Sequence, residues 1–152
     1  MINCINVTSL SLRPNVTVGM RKALVKAQAR DSPSDKALLT AFARIKTLKL
    51  LSYANEILAV CTALQHLDMS ESFEVTHISA VAECTALKHL DIGHTSVVDI
   101  GPLAACKALK HLNIQGTGVT TLVPLASCTS LKHIDCNNTL VTALDPLAAC
   151  KA

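Results

Sequence analysis

Residues 84–105 read CTALKHLDIGHTSVVDIGPLAA, residues 106–127 read CKALKHLNIQGTGVTTLVPLAS, and residues 128–149 read CTSLKHIDCNNTLVTALDPLAA. A tandem unit of 22 residues limits the chain to architectures in which units stack on one another, because one unit cannot bury its own apolar stripe. With Leu87 as position 1, the later apolar positions are Leu90, Ile92, Val97, Ile100, Leu103 and Cys106. The next unit repeats them as Leu112, Ile114, Val119, Leu122, Leu125 and Cys128, and the one after as Ile134, Cys136, Val141, Leu144, Leu147 and Cys150.

The step Leu90-x-Ile92 has period two and predicts a short strand with both side chains on one face. Thr95, Thr117 and Thr139 fall where the chain must turn, and the later apolar residues, spaced by three, return it along the opposite wall. Pro102, Pro124 and Pro146 suit the start of a short helical turn, where a missing N–H costs little. Stacking then pairs the strands in parallel, about 4.8 Å apart.

The pattern L-x-x-L-x-L-x-x-T-x-V-x-x-L-x-P-L-x-x-C, with stretches such as Val98-Asp99-Ile100-Gly101-Pro102-Leu103, resembles the leucine-rich-repeat family. The unit length is similar to that of its short-repeat class, which includes internalins and phosphatase-regulating proteins. Threonine replaces the family's usual asparagine at Thr95, Thr117 and Thr139; its hydroxyl can still bond turn backbone groups. The resemblance implies an α/β fold: a right-handed solenoid with a parallel sheet on its concave face and short helical turns on its convex face.

Residues 61–152 carry the regular repeat, with a longer unit at Leu64, Leu67, Met69, Val75, Ile78, Val81 and Cys84 that has an extra residue near Phe73. Residues 1–60 carry degenerate repeats: Ile45, Leu48 and Leu50 form one, and Cys4 to Asn15 matches another. Between them the period is lost over about residues 18–43, where two helices are expected. Val18 to Arg30 places Met20, Leu24 and Ala27 on one face, and Ser32-Pro33-Ser34-Asp35 reads as N-cap, N1 proline and acidic N3 of a second helix ending near Ala43. Arg21, Lys22, Lys26 and Arg30 read as a solvated helix face rather than a membrane-binding one. The whole chain is expected to be one domain.

Half the residues are hydrophobic, with two Phe, one Tyr and no Trp, so the core is aliphatic. Neither a membrane span nor a secretory signal is visible, and the sequons at Asn6, Asn15 and Asn138 are read as chance matches. Five of the seven cysteines, Cys61, Cys84, Cys106, Cys128 and Cys150, share one inward repeat position, and no C-x-x-C occurs. They read as reduced core thiols of a cytoplasmic protein. A net charge of +3 and scarce aromatics argue against nucleic-acid binding.

Between the core residues, the strand side chains must face outward. One outward column holds His66, His89, His111 and His133; the next holds Asp68, Asp91, Asn113 and Asp135; a third holds Ser70, Gly93, Gln115 and Asn137. Gln65, Lys88, Lys110 and Lys132 stand at the strand entrance. This striped concave face is the expected binding surface for a protein partner, and histidine titration near neutrality would tune it. No cofactor or metal is assigned, because residues upright on a flat sheet converge poorly on tetrahedral zinc. No catalytic residue is assigned either: the thiols are core residues and an open ladder lacks a water-excluding pocket. A regulatory subunit of a phosphatase is the alternative that the resemblance implies, and a metal-binding or hydrolytic site on the His and Asp columns is a third. Cys150-Lys151-Ala152 opens a further unit, so the sequence reads as part of a longer array or as one whose uncapped end associates with another molecule.

Overall fold

The computed structural model describes residues 9–12, 14–30, 32–50 and 55–150. Among these, six strands form one parallel sheet in sequence order: β1 Ser9–Leu12, β2 Thr47–Leu50, β3 His66–Asp68, β4 His89–Asp91, β5 His111–Asn113 and β6 His133–Asp135. The pairing is in register, so Leu10, Leu48, Leu67, Leu90, Leu112 and Ile134 make one continuous row. Leu48 to Leu112 of that row are buried, as the period-two pattern requires.

Each regular unit returns through a short 3₁₀ helix: Ser79–Glu83, Gly101–Ala105, Val123–Ser127 and Asp145–Ala149. Pro102, Pro124 and Pro146 occupy their first turns, where proline sets φ without forfeiting a bond. Asp99 accepts the Gly101 amide at 2.7 Å and so starts one such turn. The core lies between sheet and 3₁₀ wall, and runs unbroken from Leu24 to Leu131.

Two hydrogen-bond ladders run inside the stack. Thr95, Thr117 and Thr139 donate to the carbonyls of Ile92, Ile114 and Cys136 at 2.6–2.7 Å. Thr95 and Thr117 are buried, so an unmatched hydroxyl there would carry a desolvation penalty of about 1–3 kcal/mol. Ser72, also buried, takes the same place in the longer unit and donates to Leu50 and Ser70 carbonyls at 3.4 Å. On the other wall, the thiols of Cys106 and Cys128 reach the Val81 and Leu103 carbonyls of the preceding unit at 3.4 and 3.3 Å. All the described cysteines are free. Burial pushes the thiols of Cys61 and Cys106 up to about 12 and that of Cys84 to about 11, which leaves them protonated and poor as nucleophiles or metal ligands.

The N-terminal region breaks the period with α1 Pro14–Gln28 and α2 Pro33–Ala43; α3, Asn55–Leu58, follows β2. Leu24 and Ala27 of α1 are buried, Met20 packs against the core, and Lys22, Lys26 and Arg30 are exposed. Ser32 caps α2 by accepting the Asp35 amide at 3.2 Å. Helix α1 begins at Pro14, earlier than the helix pattern suggested. Asn15 therefore lies in a helical first turn and not at a repeat turn: Pro14 supplies a helix-compatible φ at once. No helix among the described residues is long and apolar enough to cross a membrane. Cys4 lies outside the described residues.

Candidate functional site

The outward side chains of β2 to β6 line an open groove of about 580 Å³ on the sheet face away from the core. It brings together His66, Asp68, His89, Asp91, His111, Asn113, His133 and Asp135, and adds Thr47 and Lys49. Lys88, Lys110 and Lys132 precede each strand at its entrance; Lys110 and Lys132 are exposed and Lys88 is half-buried, donating to Gln65 Oε1 at 3.1 Å.

The register that aligns the leucines also aligns the imidazoles. His66 stacks on His89 with ring centroids 4.4 Å apart, His89 on His111 at 4.3 Å, and His111 on His133 at 4.6 Å, with interplanar angles of 7–13°. Burial, then the neighbouring imidazoles His66 and His111, then Lys110 and Lys88 hold His89 below the ordinary histidine value. The same causes, with His133, Lys110 and Lys132 as the neighbours, lower His111. A proton on a neighbouring ring therefore raises the cost of protonating His89 or His111. The Nδ1 of His66 is buried without a hydrogen-bond partner.

The acidic column has an inward duty that its sequence pattern did not reveal. Asp68, Asp91, Asn113 and Asp135 each accept, through Oδ1, the amide two residues on: Ser70, Gly93, Gln115 and Asn137, at 2.9–3.0 Å. These Asx turns end each strand, and they explain how Asn113 substitutes freely for aspartate. The very next residue then enters the left-handed region in each of these four units: Glu71, His94, Gly116 and Asn138 have φ of 55–64°. Gly116 is the least costly residue there, and a Cβ on it would stand 2.7 Å from His94 Nδ1.

Lys49 breaks the acidic column. It occupies the register position beside Asp68 and forms an ion pair with it. Burial works to raise the Asp68 carboxyl, but the bonds from Lys49 and from the Ser70 hydroxyl and amide outweigh it and hold it below its usual value. Among the described residues, no group of three His, Cys, Asp or Glu is placed to hold a metal ion.

Residues 107–149 match the family described as Leucine Rich repeats (2 copies). The fold is similar to an internalin, inlF, of Listeria monocytogenes, with a TM-score of 0.68 and 25% identity over 74% of this chain and 34% of that one. It is also similar to internalin C2 of the same organism, with a TM-score of 0.65 and 30% identity over 74% of this chain and 50% of that one. The chain is built of leucine-rich repeats. As a leucine-rich-repeat solenoid it spans about a third and a half of the lengths of those internalins. Its fold also matches the leucine-rich-repeat ectodomain of a plant membrane receptor kinase from Arabidopsis thaliana, at a TM-score of 0.52 and 18% identity, covering 63% of this chain and 12% of that one. A comparison with curated proteins returns no match.

On this leucine-rich-repeat sheet, the groove offers charged and hydrogen-bonding groups at regular spacing. The buried thiols of Cys61, Cys84, Cys106 and Cys128 lie in the core, on the other side of the leucine row from the groove.

Proposed function

We propose that the protein is a non-catalytic interaction module that binds another protein through the sheet face, centred on His89, Asp91, His111, Asn113, His133 and Asp135. The observation that carries this reading is the alignment of polar side chains, none required to close the core, along one open groove. Solenoids commonly bind through such extended concave surfaces. The structurally similar receptor-kinase ectodomain was crystallised in complex with Casparian strip integrity factor 2, which lends support at the level of the fold alone. A cytoplasmic setting belongs to the same proposal, because the described thiols are unpaired and disulfides are rare in reducing compartments.

The test is affinity capture with the wild type and a His89→Ala/His111→Ala variant, alongside thermal unfolding. The variant should lose the captured protein while its Tm stays close to wild type. Unaltered capture would defeat the assignment of this face. Recovery of a phosphatase catalytic subunit would select the regulatory-subunit reading.

A further inference from the structure

The charges on the sheet face are not evenly available. Lys49 and Asp68 close on each other, and Asn113 is neutral. Asp91 and Asp135 each give one oxygen to a turn amide. Against these two carboxylates stand four lysines at the strand entrances, interrupted at β3 by Gln65: Lys46 precedes β2, and Lys88, Lys110 and Lys132 precede β4 to β6. The backbone confirms the common row: the Lys46 carbonyl accepts the Gln65 and His66 amides, as the Lys88 carbonyl accepts those of Lys110 and His111. Among the described residues no carboxylate pairs with any of these four lysines. Lysine and aspartate columns lie three residues apart along each strand, about 10 Å, so the aspartates do not neutralise the lysine edge at contact distance. The imidazole column lies between them, next to the lysines.

We propose that the lysine–histidine side of the sheet face takes an acidic polypeptide segment laid across the strands, and that it holds this segment more tightly as the imidazoles protonate. The inference rests on the sheet face being the interaction surface and adds the chemistry of the occupant. Carboxylates on such a segment meet imidazoles that recur every 4.3–4.6 Å, with the entrance lysines beside them. The groups lining the groove with the imidazoles are Thr47 and Lys49 from β2, Asp68 from β3, Asp91 from β4, Asn113 from β5 and Asp135 from β6; the entrance lysines stand outside that lining, at the strand starts, and Lys88, Lys110 and Lys132 act on His89 and His111 through their charge. Burial first, then repulsion from neighbouring imidazoles and lysines, favours the neutral rings of His89 and His111 in the free protein. An anion laid over them offsets that repulsion, so binding takes up protons. Affinity therefore rises as pH falls through the ordinary histidine range and is weakest above it. A nucleic acid is the less favoured polyanion, because no Phe, Tyr or Trp lines the groove to stack a base, and the imidazoles there already stack on one another.

Fluorescence anisotropy with a labelled Glu- and Asp-rich peptide tests this on the whole chain, beside a Lys-rich peptide of equal length and a single-stranded oligonucleotide. The acidic peptide should bind on the order of tenfold more tightly at about pH 5.5 than at about pH 8. A Lys88→Gln/Lys110→Gln/Lys132→Gln variant should lose most binding at both pH values. A His89→Gln/His111→Gln variant should keep the binding at the higher pH and lose most of the gain. Binding insensitive to pH and to the lysine changes would overturn the inference, as would tighter binding of the oligonucleotide. Binding of the basic peptide alone, abolished by His89→Ala/His111→Ala, would overturn the acidic occupant while sustaining the face as an interaction surface. No peptide responding to any face variant, with unaltered capture by the His89→Ala/His111→Ala variant, would overturn both.

Discussion

Two columns cross this solenoid, one on each side of the leucine row, and both repeat once per unit. The cysteine column faces the core, where its thiols donate to carbonyls of the unit before and burial holds them protonated. The histidine column faces the groove, where its rings stack at 4.3–4.6 Å and stay within reach of solvent protons. The same duplicated unit thus yields an inert ladder and a titratable one. The difference is the side of the wall on which the residue stands, since low dielectric fixes one protonation state and water permits two. Stability should follow the inner column and binding the outer.

The largest effect expected from breaking this contrast is in the leucine row itself. Leu112, 3% exposed, changed to Ala should cost about 2–5 kcal/mol in denaturant unfolding. Cys106→Ala, which removes a buried thiol and leaves the Val81 carbonyl with one partner fewer, should cost about 1–2 kcal/mol. Asp91→Ala removes the acceptor of the Gly93 amide and should cost about 0.5–1.5 kcal/mol, whereas Asp91→Asn should stay within about 0.5 kcal/mol because the amide oxygen keeps that bond. An equal loss from both aspartate changes would show that charge, and not the Asx turn, fixes the residue.

The smallest effect should come from pH. His89 and His111 have folded-state values below the ordinary one. The unfolded chain therefore binds more protons than the folded chain as pH falls, and the native state loses ground. Chemical melts should show a modest loss of stability as pH drops through the ordinary histidine value, flattening below the lowered folded value. The loss should shrink in His89→Gln/His111→Gln. A stability that instead rises over that window would reverse the sign of the coupling in the free protein.

Much of this was legible from spacing. The 22-residue period fixed which leucines face inward, and strict alternation put His66, His89, His111 and His133 on the opposite face, in the register observed. The prolines and Ser32 signalled their turns because each acts through local backbone chemistry. What was not legible depended on contacts between units or on side-chain reach. The aspartates looked like recognition groups, yet each also closes a turn two residues ahead. Lys49 looked unremarkable until register set it beside Asp68. Lys46 joined the lysine row only once the β2 pairing was known. The start of α1 at Pro14 escaped because a degenerate repeat match at Asn15 competed with the helix signal.

The division of labour between the two columns is tested most directly by histidine-detected NMR with the captured partner. With the side-chain nitrogens labelled, partner added in steps should shift the imidazole signals of His66, His89, His111 and His133 together and leave the amides of the 3₁₀ wall, such as Leu103 and Leu125, in place. Shifts confined to that wall, with the four imidazoles unmoved, would contradict the account.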